Sequence, residues 1–206
     1  MALVDRVKNI LLSPRTEWPV IDAEPATIGS LYTGYIMPLA AIPVICQALG
    51  MSLFGVTIPF VGTHYSTPIG RALASAAVLY IFSLVAVFIV ALIVDGLAPT
   101  FGGTKNQVQA LKVVAYSYTA SWVGGIFSLF PAIGIIGVLF GLYSLYLLFL
   151  GLPVLMKSPP DKAVGYTVVV VICAIIVTWV IFFCVAALGF GMGAGAMAAA
   201  GANYHP

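Results

Sequence analysis

The side chains that could do chemistry are few and stand apart. Tyr116, Ser117, Tyr118, Thr119 and Trp122 gather four hydroxyls and an indole N–H within seven residues of a long apolar stretch. Uncharged donors of this kind can line a small cavity for a lipid or solute. They also bond routinely to helix carbonyls and neighbouring helices in membrane bundles, and that structural role is the expectation here. Asp95 closes one apolar stretch and Lys112 opens another. Ionisable groups inside a bilayer are functional candidates by default. Near its boundary, however, a lysine can snorkel to the phosphates, and an aspartate can sit in the interface.

Nothing else assembles into a catalytic set. The chain has no paired carboxylate, no HExxH, no G-x-S-x-G and no Ser/His/Asp combination, so no enzyme activity is expected. His64 and His205 are isolated, which is a poor metal signal. Cys46, Cys173 and Cys184 are odd in number and lie in apolar runs without a CxxC, so they read as small buried hydrophobes. Gly102-Gly103 lacks the spacing of a phosphate loop. No metal or cofactor is expected.

The elements that carry these residues are membrane helices. Of 206 residues, 62% are hydrophobic and 7% charged, against about 25% charged in an average soluble domain. The net charge of +2 comes with no basic patch or aromatic platform for nucleic acid. Val113 to Met156 contains no Asp, Glu, Lys, Arg or His over 44 residues. One span takes about 20 apolar residues, so this stretch holds two, turning at Phe130-Pro131. The fold class is all-α: a polytopic protein with five transmembrane helices, near 28–54, 72–94, 108–129, 132–156 and 164–190. Pro38 and Pro43 kink the first span, and Gly96 suits the end of the second.

Residues 1–27 form a cytoplasmic segment. There Leu3, Val4, Val7, Ile10 and Leu11 share one face of a short amphipathic helix, and Asp5, Arg6, Lys8 and Asn9 fill the rest. Such a helix can lie in the headgroup plane or pack on the protein's own cytoplasmic end. Ser13 to Pro19 reads as an irregular connector, with Trp18 as an interfacial anchor. Residues 191–206 read as a flexible Gly/Ala-rich tail.

Charge sets the orientation. With five spans, Arg6, Lys8, Arg15, Lys105, Lys112, Lys157 and Lys162 share one side, and Arg71 is alone on the other. Cytoplasmic loops carry the excess of Lys and Arg, so the N-terminus is cytoplasmic and the C-terminus outside.

Small residues suggest how the third and fourth spans meet. Ser117, Ser121, Gly124 and Ser128 fall on one face of the third, and Gly134, Gly137, Gly141 and Ser144 on one face of the fourth. Paired antiparallel in the order Ser128–Gly134, Gly124–Gly137, Ser121–Gly141 and Ser117–Ser144, the two ridges form a continuous close-packed seam. Gly191-x-x-x-Gly195 offers a contact for a homo-oligomer.

Three stretches resemble bacterial Yip-domain (Ypt-interacting protein) membrane proteins. They are P-R-T-E-W-P-V-I from Pro14, A-Y-S-Y-T-A-S-W-V from Ala115, and L-Y-S-L-Y-L-L-F-L-G-L-P-V-L-M-K-S-P-P-D-K-A from Leu142. The resemblance implies a five-helix integral fold with a cytoplasmic N-terminus in a bacterial inner membrane. Eukaryotic members work in vesicle traffic with lipidated small GTPases and carry an Asp-Leu-Tyr-Gly-Pro motif in a long N-terminal region. This chain has no such motif, so the GTPase partner is not carried over. Membrane lipid is the expected partner. The expected role is a non-catalytic membrane organiser or scaffold, working through helix packing and the cytoplasmic face. The alternative is a transporter or channel for a small solute or lipid.

Overall fold

The computed structural model describes residues 2–57, 64–130, 133 and 135–188. Within them the regular structure is helical apart from one antiparallel pair of two-residue strands, β1 (Val56–Thr57) and β2 (His64–Tyr65). Gly134, His205 and the tail 191–206, with its Gly191-x-x-x-Gly195 motif, lie outside the described residues.

Helix α1 (Leu3–Leu12) is followed at once by α2 (Pro14–Ala23). The stretch from Ser13 to Pro19 is therefore helical and not an irregular connector. Pro14 occupies the first helical position, where its missing N–H costs nothing and its fixed φ favours the helix. Helix α3 covers Ile28–Leu53. It opens with a reciprocal cap, in which Ser30 N donates to Thr27 Oγ1 at 3.1 Å and Thr27 N donates to Ser30 Oγ at 3.0 Å. A wide π turn at Tyr32–Ile36 precedes Pro38, and Pro43 lies further along the helix.

Helix α4 (Ile69–Leu97) runs past Gly96 into a 3-10 turn at Ala98–Phe101. The left-handed residue that stops it is Gly102, at φ +75°. The position of this stop is set by tertiary contact. Thr104 N donates to Met156 O at 2.8 Å, and a Cβ on Gly103 would lie 2.6 Å from that same oxygen.

The stretch expected as the third span comes in pieces: α5 (Gln107–Ser117), α6 (Thr119–Gly124) and a 3-10 turn at Gly125–Leu129. Helix α7 (Ile135–Leu155) and α8 (Ala163–Ala187) complete the chain. Among the described residues, four helical stretches are long and apolar enough to cross a membrane: Ile28–Leu53, Ile69–Phe101, Ile135–Leu155 and Pro160–Ala187.

Helix α5 forms the centre. Every residue from Ala110 to Ser117 is buried, as expected of a helix walled on all sides. Around it pack α2, α4 and α7, represented in the core by Trp18, Val94 and Leu152.

Candidate functional site

The three buried charged residues among those described, Arg6, Glu17 and Lys112, meet in one place. Arg6 is 4% exposed and Glu17 5%. The Arg6 guanidinium pairs with Glu17 and, through its other terminal nitrogen, with Glu24. A fork of donors between two carboxylates suits arginine's planar geometry. Its carbon Cζ also stands 5.8 Å from the centre of the Tyr116 ring, within cation–π range.

Lys112 approaches from α5. Its ammonium donates to the carbonyls of Ile21 at 2.8 Å and Glu24 at 2.5 Å. These oxygens lie at the C-terminal end of α2, where a helix presents unpaired acceptors and favours a cation. Gln109 Nε2 donates to the Asp22 carboxylate at 3.0 Å, and Lys157 pairs with the same side chain. Lys157 caps the end of α7 in the left-handed conformation, φ +55°, which costs a side chain about 1–2 kcal/mol.

Below the charges lies an aromatic layer. Trp18 is wholly buried, so it is a core residue and not an interfacial anchor. Its ring meets Tyr116 edge-on at 6.4 Å, and Tyr116 meets Tyr35 at 4.5 Å. Tyr35 and Thr119 share a hydroxyl–hydroxyl hydrogen bond at 2.7 Å. On the other side of Trp18, Gly151 leaves room for the indole.

These contacts fasten the N-terminal helix pair lengthwise to the bundle. The Leu11 carbonyl accepts from Tyr143 at 2.7 Å, and Tyr143 is the ninth of the 21 residues of α7. Trp18 sits at Gly151 and Asp22 at Lys157, so α2 runs up alongside α7 towards its C-terminal end. Helix α1 lies against α6. Of the two placements open for the first helix, the described contacts are with protein. Its apolar side chains are divided: Ile10 is buried, while Val4 on the same side and Leu12 on the polar side are 74% and 71% exposed. Arg6 is buried because Glu17 and Glu24 draw it inward, although helical spacing puts it on the polar side.

The structure distributes the sequence candidates. Tyr116 and Thr119 belong to the aromatic layer, and Trp122 packs edge-on against Tyr118 at 6.0 Å. Of the five expected cavity residues, Ser117 and Tyr118 line a cavity of about 380 Å³ among α4, α5, α7 and α8. Asp95 is separate from the ion cluster. Its Oδ1 is buried without a hydrogen-bond partner among the described residues, and the neighbouring Val94 carbonyl accepts from Tyr166 at 2.5 Å.

The small-residue seam takes a different register. Ser121 meets Ser144: their hydroxyls lie 2.8 Å apart, and Ser121 N donates to Ser144 Oγ at 3.0 Å. Gly124 receives the side chain of Phe140. Relative to the expected pairs, the fourth span is slid by three residues at both contacts. A Cβ at Gly137 or Gly141 would meet nothing within 4 Å. The cause is the break at Tyr118. It leaves the Ser121 amide in a first helical turn, where it needs an outside acceptor, and Ser144 supplies one. Beyond α6 the 3-10 turn leaves α7 for α3. Gly125 faces Pro43, and a Cβ on Gly50 would lie 2.5 Å from the Ser128 carbonyl. Ser128 itself bonds to the Gly125 carbonyl at 2.6 Å.

The sequence reading missed the Arg6–Glu17 pair and the burial of Trp18. One signal was available: Glu17 and Trp18 stand side by side in the first of the three family-like stretches. All three stretches converge here, through Glu17 and Trp18 from the first, Tyr116 from the second, and Gly151 and Lys157 from the third.

Comparison with known proteins identifies the family. Two relatives are each called inner membrane protein YohC, from Escherichia coli strain K12 and from Escherichia coli O6:H1 strain CFT073. Each is 24% identical over 167 residues, covering 80% of this chain and 85% of the relative. No solved structure matches. The Yip1 domain family matches residues 8–182, a range that contains Glu17, Trp18, Tyr116, Gly151 and Lys157, and the chain belongs to that family.

Proposed function

We propose that the protein is a non-catalytic organiser of a bacterial inner membrane. It has five spans, a cytoplasmic N-terminus and an external C-terminus. One observation supports this reading: Arg6 and Glu17 join α1 to α2, and Lys112 and Tyr143 join that pair to α5 and α7. A proton- or ion-coupled carrier keeps charged groups along a path at mid-membrane. Here buried charge is used for fastening.

The fastened pair suggests how the organiser works. In this topology α1 and α2 add volume to the cytoplasmic leaflet, and among the described residues no matching pair lies in the other leaflet. Exposed Val4 and Leu12 contact acyl chains, while Lys8 and Arg15 reach anionic headgroups by extending their side chains. An inserted wedge of this kind favours curvature and recruits lipid. The Gly191-x-x-x-Gly195 motif supplies a contact between copies.

Reconstitution in sealed liposomes tests the reading. Wild-type protein should narrow vesicles or tubulate them, as seen by electron cryomicroscopy, and Arg6→Ala should do so less. Flux of protons, metal ions and small solutes should be the same as in protein-free vesicles. A saturable flux abolished by Asp95→Asn or Tyr116→Phe replaces the organiser with a carrier.

A further inference from the structure

The cavity at Ser117 has a wall with one buried hydroxyl that lacks a partner among the described residues. It is a half-open cavity of about 380 Å³, bordered by Ser117, Tyr118, Ser144, Val170, Ala174 and Trp179, among others. Small-molecule sites are typically about 300–1,000 Å³, mainly apolar, with a few placed polar groups. Of the serine and threonine hydroxyls on this wall, Thr178 donates to the Ala174 carbonyl at 2.8 Å and Ser144 is engaged with Ser121. Ser117 is 1% exposed, and its Oγ has no hydrogen-bond partner among the described residues. A buried hydroxyl without a partner costs about 1–3 kcal/mol.

We propose that this cavity binds an uncharged, hydrocarbon-soluble carbonyl compound of the quinone class, whose carbonyl accepts a hydrogen bond from Ser117 Oγ. Three features select this chemistry. No Asp, Glu, Lys, Arg or His borders the cavity, so a charged ligand would be desolvated without compensation. Tyr118 and Trp179 give the wall two aromatic faces, against which a planar ring packs well. Ser117 is the eleventh residue in the 23-residue run from Gln107 to Leu129, about half-way along it. The ester carbonyls of phospholipids lie near the bilayer surface, whereas a lipid-soluble quinone carries its carbonyls into the hydrocarbon. Such binding does not depend on how the N-terminal pair shapes the bilayer.

The test uses the full chain in phosphatidylcholine nanodiscs, with decyl-benzoquinone as probe. Saturable quenching of tryptophan emission is expected, with its amplitude reduced in Trp179→Phe. Ser117→Ala removes the donor and should raise the half-saturating concentration about fivefold, the loss of one neutral hydrogen bond. Ala174→Phe fills the cavity and should abolish saturation. Decylbenzene, which has no carbonyl, should compete at least about fivefold more weakly in the wild-type protein, and this arm requires no variant to fold. Linear quenching in the wild type, an unchanged half-saturation in Ser117→Ala, saturation retained in Ala174→Phe, or equal competition by decylbenzene would each overturn the proposal.

Discussion

Trp18 rests on Gly151: a Cβ added there would lie 2.7 Å from indole Cζ2 and 2.8 Å from Cη2. The contact joins the N-terminal pair to α7 in the aromatic layer beside the ion cluster. Gly151→Leu should expel the indole and destabilise the protein by about 1–3 kcal/mol, the usual cost of overpacking. Thermal unfolding in detergent measures it, with a red shift of Trp18 emission as the local signature. Gly137→Leu and the 75%-exposed Ile135→Leu should unfold near the wild-type temperature. Equal loss at positions 137 and 151 would contradict the register seen here.

Arg6→Ala leaves Glu17 buried without its partner. Removing one member of a buried ion pair costs about 3–5 kcal/mol, largely because the other charge is stranded. Glu24 is half-exposed and loses less. The strain should appear first as release of α1 and α2, read as faster limited proteolysis near Ser13 while the bundle stays intact. Arg6→Met combined with Glu17→Leu should restore much of the protection, since an apolar pair of similar volume carries no stranded charge.

Ser144→Ala removes the acceptor of the Ser121 amide, which lies in the first turn after the break at Tyr118. The freed N–H is buried among helices, and an unmade hydrogen bond there costs about 1–3 kcal/mol. Ser144→Thr keeps the oxygen and should lose less. A melting-temperature comparison of the two variants separates lost hydrogen bonding from altered packing.

These relationships divide what sequence can and cannot carry. Helix lengths are legible because apolar length is local: Ile28–Leu53, Ile69–Leu97, Ile135–Leu155 and Ala163–Ala187 fall within a few residues of their expected bounds. The break at Tyr118 has no proline or glycine at that position to announce it. It is bound up with contacts to Ser144 and, further along, Pro43, which are remote in the chain. The changed register follows from that break: of the expected small-residue ridge Ser121 meets Ser144, while Gly124 takes Phe140 and a Cβ at Gly137 or Gly141 would meet no neighbour. Trp18 shows the same limit. A tryptophan beside two prolines at a membrane edge suits an interfacial anchor, and only Gly151, far along the chain, makes a slot that buries it.

The remaining prediction concerns whether the broken third span crosses the bilayer. Gln107 to Leu129 supplies 23 residues, enough for about 30 Å of hydrocarbon at about 1.5 Å per helical residue. The run has no Asp, Glu, Arg or His, and its Lys112 ammonium is turned back to α2 carbonyls. If it crosses, five spans put residue 206 outside. If it does not, the four long helices put that residue on the same side as the N-terminus. Alkaline phosphatase fused after Pro206 should therefore be active, and a fluorescent protein there dark. The reverse is expected for fusions after Gly103, in the loop between α4 and α5. An inactive phosphatase at 206 together with a bright fluorescent protein there would remove the third span from the membrane. The charge asymmetry of seven cations against Arg71 would then lose its meaning as an orientation signal, because the loops would be redistributed between the two faces.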